Sequence, residues 1–143
     1  LSRGADGAKT HAKRAVEQCA RVIPSPSKHA YLDMKYDAQT PIGLDWAGTV
    51  DERQSYAWEP SELIVGIDEE SILGVEAPLW TETVRTRKEL EFMMFPRLIG
   101  IAEKGWCEAH VPFDDYAQRL GRHAERLSKL APGARFSTII PWS

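Results

Sequence analysis

The stretch Ile72-Leu73-Gly74-Val75-Glu76-Ala77-Pro78-Leu79-Trp80-Thr81-Glu82 decides how this chain reads. A short apolar run ends in a Trp-x-Glu pair. Helix-start chemistry follows at once, with Thr86 and Glu89 spaced as a capping box before an apolar periodic segment. The order is strand, loop, helix. Trp80 and Glu82 then project at the carboxyl end of the strand, where α/β folds gather their ligands. An indole can cover the apolar C–H face of a pyranose, and a carboxylate two residues on can accept from ring hydroxyls. The plainer alternative is a core Trp beside a solvated Glu. On residue types alone that alternative carries more weight, because short motifs are weak signals.

Upstream, Ala8, Ala12, Ala15, Val16 and Cys19 recur at helical spacing, and Asp6 is the expected N-cap. Val22-Ile23, stopped by Pro24 and Pro26, reads as a short buried strand running into a loop. Residues 24–71 read as irregular, with four prolines and scattered aromatics, and so long a loop-rich region is usually functional. Downstream, Arg87–Trp106 is helical, with Pro96 dividing it or opening a second helix. Phe113, Tyr116, Ala117, Leu120, Ala124, Leu127 and Leu130 mark one final amphipathic helix, ended by Pro132-Gly133. Residues 134–143 form a tail with Ile139, Ile140 and Trp142 available for docking. Two strands joined by a crossover suit a parallel sheet.

The 143 residues suffice for one domain with a real core. Apolar content of 43% against 27% charged is globular and not disordered. A formal charge of −3 argues against a nucleic-acid partner. No apolar run is long enough to span a bilayer, and there is no signal-peptide core at the N-terminus. Neither fact fixes a compartment. A chain that starts at Leu1 reads as a piece of something longer. Cys19 and Cys107 are far apart, give no zinc or disulfide signature, and read as buried or half-buried thiols. His11, His29, His110 and His123 show no ligand spacing, so no metal and no cofactor is expected.

Several separated motifs occur here in one order. They are Tyr31-Leu32-Asp33-Met34-Lys35-Tyr36-Asp37, Gly43-Leu44-Asp45-Trp46-Ala47-Gly48, Leu73 to Glu82, Phe95-Pro96-Arg97-Leu98, and Ala102-Glu103-Lys104-Gly105-Trp106. Together they resemble the last part of the catalytic barrel of glycoside hydrolase family 20, the β-N-acetylhexosaminidases, from about residue 20 to the end. The resemblance implies an α/β fold, the C-terminal portion of a (β/α)8 TIM barrel with about its last two strands and their helices. A whole barrel takes roughly 250 residues, so residues 1–143 would be an incomplete one.

The resemblance also implies a substrate-assisted mechanism, an exception to two-carboxylate glycoside hydrolysis. The 2-acetamido oxygen of the sugar attacks its own anomeric carbon, a glutamic acid protonates the leaving oxygen, and the preceding aspartate steers the acetamido nitrogen. That Asp-Glu pair follows a His-x-Gly-Gly motif in the family, and this chain has no such motif. What remains is a catalytic Tyr31, whose hydroxyl would donate to the acetamido oxygen. Asp33 would bind a hydroxyl near the C4–C6 edge, with Glu82 on the O4 side. Trp80 would lie under the ring, and Trp46 would line the same cavity.

Two Asp-Glu dipeptides read as decoys. Asp68-Glu69 falls at the amino end of the second strand, and Asp51-Glu52 reads as a solvated loop pair. Trp58, Trp106 and Trp142 read as core or docking residues. Arg97 reads as structural, pairing with a carboxylate or with helix-end carbonyls. The expected partner is an N-acetylhexosamine glycan or chitooligosaccharide, with no nucleic acid and no membrane. Self-association through the open barrel edge is a further expectation. The competing class is a non-catalytic module that binds sugar or a protein with the same surface.

Overall fold

The computed structural model describes residues 2–107 and 111–143, with side chains from residue 7 onward. Among the described residues there are six α-helices: α1 Ser2–Glu17, α2 Glu52–Tyr56, α3 Arg87–Met94, α4 Arg97–Trp106, α5 Phe113–Gly121 and α6 Ala124–Leu130. Helix α1 starts before Asp6, which therefore lies inside the helix and is not its cap. The helix-favouring Ala5 lets the turn begin earlier. Its end is a Schellman motif. Cys19 N–H donates to Val16 O at 2.9 Å and Ala20 N–H to Ala15 O at 3.0 Å. Cys19 holds the left-handed position, φ 65°, that glycine usually takes.

Helix α3 opens on the full capping box. The Thr86 hydroxyl accepts from Glu89 N–H, and the Glu89 carboxylate accepts from Thr86 N–H at 2.9 Å. Pro96 ends that helix, as its missing N–H requires, and α4 begins at the next residue. The single helix expected after Phe113 is two helices, broken at Arg122-His123. The reason lies in the tail. A Cβ on Gly121 would come within 2.2 Å of the Pro141 carbonyl oxygen, and Ser143 N–H donates to Gly121 O at 3.1 Å. Ile140 and Trp142 dock beside the break, a long-range contact that helical periodicity does not record.

Neither expected strand is regular. Val22 and Ile72 form an isolated parallel bridge. Around it Val22 N–H donates to Ser71 O at 2.8 Å, Leu73 N–H to Val22 O at 2.9 Å and Glu76 N–H to Pro24 O at 3.1 Å. The pairing is parallel, as read from the sequence, but two features stop a ladder. Pro24 has no N–H to donate. Gly74 sits at φ 153° and inserts an extra residue, so the bond after Leu73 falls on Glu76 and not on Val75. Among the described residues, parallel pairing is reduced to this bridge and one between Met34 and Leu44.

Segment 24–71 is irregular but not loose. Ala30, Leu32, Met34, Tyr36 and Val50 are fully buried, and Trp58 joins Ala30, Leu32 and Ile101 in a cluster against Val75, Ala77 and Leu79. Tyr56 of α2 stacks on Tyr116 of α5 with ring centres 4.3 Å apart, and its hydroxyl donates to Glu103 of α4 at 2.6 Å.

Three further sequence readings are corrected. Glu52 is not a solvated loop residue; it is buried at the start of α2, with Arg135 Nη1 3.7 Å from its carboxylate. Its neighbour Asp51 caps that helix, accepting from Gln54 N–H at 2.7 Å. Composition sees an acidic pair but not that one member turns inward on a helix. Cys19 and Cys107 are both exposed, because each sits just past a helix end. Trp106 is 89% exposed. Gly105 lies against a Val75 methyl group, and the next residue of the helix points away from that contact.

Candidate functional site

The main chain from Tyr31 to Met34 is pinned from several directions. Leu32 N–H donates to Pro78 O at 2.8 Å, which ties this segment to the end of the 72–79 run. Leu44 N–H donates to Asp33 O at 2.8 Å, and Lys35 N–H to Leu44 O at 2.7 Å. Gly43 makes that approach possible. It sits at φ 96°, and a Cβ there would lie 2.8 Å from Asp33 O and 2.7 Å from the Met93 methyl. Its own N–H donates to the Thr83 hydroxyl at 2.8 Å, joining the loop that carries Trp46 to the loop that carries Glu82.

These bonds gather the residues singled out from the sequence. Tyr31 and Trp46 meet edge to face, ring centres 5.8 Å apart. Asp33 is buried to 2% exposure, and among the described residues no strong hydrogen bond reaches either carboxylate oxygen, the Asp33 and Trp80 amides acting on it only as weak donors. Burial pushes its carboxyl above the ordinary 3.8, and the Glu82 carboxylate adds to the rise. The Asp33 and Trp80 amides and the Arg97 charge pull partly the other way. Trp80 and Trp46 are 56% and 53% exposed, and Glu82 is exposed as well. A dry acceptor therefore stands beside a wetter one, flanked by two open indole faces and a phenol. That set suits a ligand with an apolar face and several hydroxyl donors.

The remaining candidates separate from this region. Trp58 is core, its indole N–H donating to Ser55 O at 3.1 Å. Trp142 donates to Ser137 O at 2.9 Å and packs the tail. His29 bonds Gln54 O through Nδ1 at 2.7 Å and stacks on Trp58; His11 and His123 are exposed, and His110 lies outside the described residues. Asp68-Glu69 is exposed on a single 3-10 turn. Among the described residues no three His, Cys, Asp or Glu side chains are grouped to hold a metal ion, and no helix is long and apolar enough to cross a membrane.

The model of the glycosyl hydrolase family 20 catalytic domain matches residues 4–109. This chain belongs to glycosyl hydrolase family 20. It is 48% identical over 129 residues to a β-N-acetylhexosaminidase of Cellulomonas fimi, covering 90% of this chain and 26% of that protein. It is 34% identical over 100 residues to a β-hexosaminidase of Vibrio furnissii, covering 65% of this chain and 16% of the relative. The chain thus spans about a quarter or less of the length of these relatives.

The fold agrees with solved family 20 enzymes. The β-N-acetylhexosaminidase of Streptomyces coelicolor superposes with a TM-score of 0.86 at 42% identity, over 96% of this chain and 28% of that one. A Streptomyces plicatus β-hexosaminidase mutant, solved with the product GlcNAc, superposes with a TM-score of 0.88 at 39% identity over the same shares. The family 20 catalytic domains that this chain resembles are TIM-barrel enzymes. The buried Arg97 and Glu52 are the residues near this region whose depth sequence reasoning did not foresee. Arg97 was legible as structural; nothing in the sequence marks Glu52 as interior.

Proposed function

We propose that this chain forms the C-terminal portion of a family 20 catalytic barrel, contributing its last two strands and one wall of an N-acetylhexosamine site. The parent activity is release of terminal N-acetylglucosamine or N-acetylgalactosamine, with retention, by substrate-assisted catalysis. In this reading the Tyr31 hydroxyl donates to the acetamido oxygen as that oxygen turns nucleophilic. A donor placed there orients the oxygen for attack on the anomeric carbon. Asp33 and Glu82 accept from the hydroxyls of the C4–C6 edge. Trp80 supports the ring, and Trp46, set edge-on to Tyr31, walls the pocket. The acid that protonates the leaving group comes from a segment that this chain does not contain.

The observation that supports this reading best is the buried, weakly satisfied Asp33 carboxylate between the Tyr31–Trp46 pair and the Trp80–Glu82 loop. A buried acceptor with only weak donors costs free energy that a donor-bearing ligand would recover. The parallel-paired segments 22–24 and 72–79 also leave one flank bare. Gly74, Val75, Ala77 and Leu79 N–H groups find no main-chain acceptor among the described residues, and Leu73 is largely exposed. That flank is where the rest of a barrel, or a second copy of this chain, would pair.

The test is a titration of the 143-residue chain with N-acetylglucosamine at millimolar concentration, read from indole and Tyr31 ring resonances. The expected result is movement of the Trp46, Trp80 and Tyr31 signals, with Trp58 and Trp142 still. Glucose, lacking the acetamido group, should leave Tyr31 unmoved. No selective movement with N-acetylglucosamine would overturn the reading.

A further inference from the structure

Among the described residues Arg97 is the largest fully buried side chain, 1% exposed, on helix α4. Burying a cation so deeply costs several kcal/mol, roughly, unless its donors are satisfied. Among the described residues no carboxylate pairs with it. Four main-chain carbonyls do. Nη1 donates to Met34 O at 2.7 Å and Val50 O at 2.8 Å, and Nη2 to Leu32 O at 2.6 Å and Met93 O at 2.7 Å. The guanidinium plane also lies 3.8 Å from the centre of the Tyr36 ring.

The two carbonyls it takes from one segment are those on either side of Asp33. The Asp33 carbonyl between them accepts from Leu44 N–H. Three consecutive peptide groups are therefore held, two by Arg97 and one by the loop that bears Trp46. We propose that Arg97 is the positioning residue of the sugar site, fixing the Leu32–Met34 main chain so that Asp33 stands as a rigid, dry acceptor. This rests on the function proposed above. Only arginine suits the task. Its two terminal nitrogens reach four acceptors in one plane, whereas the single nitrogen of lysine carries three hydrogens at one point.

Arg135 supplies the control. Its guanidinium also lies against the Tyr36 ring, at 4.3 Å, and it pairs with Asp37 at 2.8 Å, but among the described residues no hydrogen bond joins it to the carbonyls of Leu32 or Met34. The experiment compares Arg97→Lys with Arg135→Gln in the 143-residue chain by two readouts. One is the affinity for N-acetylglucosamine. The other is the titration of the Asp33 carboxyl carbon without ligand, where Glu82 and Arg97 are the charged groups that bear on it. Arg97→Lys keeps the charge but frees the main chain, so Asp33 becomes wetter and its titration should fall towards the ordinary value. Sugar affinity should drop at least tenfold. Arg135→Gln should change affinity less than twofold and leave the Asp33 titration in place.

An unchanged Asp33 titration in folded Arg97→Lys, or an equal shift in Arg135→Gln, would overturn the proposal. If the wild-type chain binds no sugar, the function proposed above falls, while the Asp33 titration still decides the role of Arg97. Should Arg97→Lys not fold, hydrogen exchange of the wild type decides. The Arg97 guanidinium protons and the Leu44 amide must then exchange through one common opening. Opening rates tenfold apart would refute the idea.

Discussion

Replacing Asp33 by Asn should make the chain more stable at neutral pH while damaging the candidate site. The wild-type carboxylate is buried, accepts nothing stronger than the weak bonds of the Asp33 and Trp80 amides, and lies close enough to Glu82 to be raised by it. An unpartnered buried polar group costs about 1–3 kcal/mol, and more when it is charged. Asn keeps the shape and the unpartnered polarity but removes the charge and the repulsion from Glu82. The expected gain is therefore about 1–2 kcal/mol at pH 7. For a chain of this size that is roughly 3–8 °C in Tm. The sign with pH follows from the raised carboxyl. Below the unfolded value near 3.8 both states of the wild type hold the proton, and the two proteins should be equally stable. As pH rises through the folded-state value, the wild type loses stability relative to Asp33→Asn, and the gap is fully open at neutrality. Urea unfolding at pH 3 and pH 7, or thermal melts where pH 3 unfolds the chain outright, reads the gap directly. An Asp33→Asn chain no more stable than wild type at pH 7, or a gap that persists unchanged at the acid end, would refute the reasoning. A gain in stability accompanied by lost sugar binding is the trade-off expected of a binding residue held in an unfavourable environment.

Other outcomes follow from features already described. The isolated chain should not turn over a nitrophenyl N-acetylglucosaminide. On the proposed reading the acid, whose contribution is roughly 10²–10⁴-fold, lies outside it, and measurable turnover by purified material would contradict that division of the site. Cys19→Gly should stabilise the chain by about 0.5–1 kcal/mol, because a side chain now occupies the left-handed end of α1; chemical denaturation checks it, and a loss of stability would argue against that geometry. The bare flank at residues 73–79 should make the chain self-associate at high concentration. Leu73→Lys, which charges that edge, should reduce the association. Sedimentation showing the same compact monomer for both proteins would count against an open edge.

Much of this fold is legible in local signals. The Thr86–Glu89 capping box, the stop at Pro96 and the end of the last helix at Pro132-Gly133 are written in residues within a few positions of each structural event. The parallel pairing of the run at Val22-Ile23 with that at 72–79 is also readable, because a long crossover joins the two apolar runs. What was not readable depends on partners far away in sequence. The break between α5 and α6 exists because Pro141 lies on Gly121, 20 residues on. The loss of a regular ladder depends on Gly74 meeting Pro24 across the pair. Glu52 looks solvated in a polar stretch, and only the tail residue Arg135 shows why it faces inward. The candidate site was legible through resemblance, since no periodicity distinguishes Trp80 from Trp106, yet both are exposed and only Trp80 neighbours Asp33.

The Arg97 grip has a consequence for how such a pocket can change over generations. The four hydrogen bonds of its terminal nitrogens all end on main-chain oxygens. The side chains at Leu32, Met34, Val50 and Met93 are therefore constrained by volume alone, not by a chemical role in the clamp. Drift among apolar residues of similar size at those four places leaves the scaffold intact. On the proposed function, the candidate sugar-facing residues can then be exchanged one at a time while the Arg97 clamp stays in place.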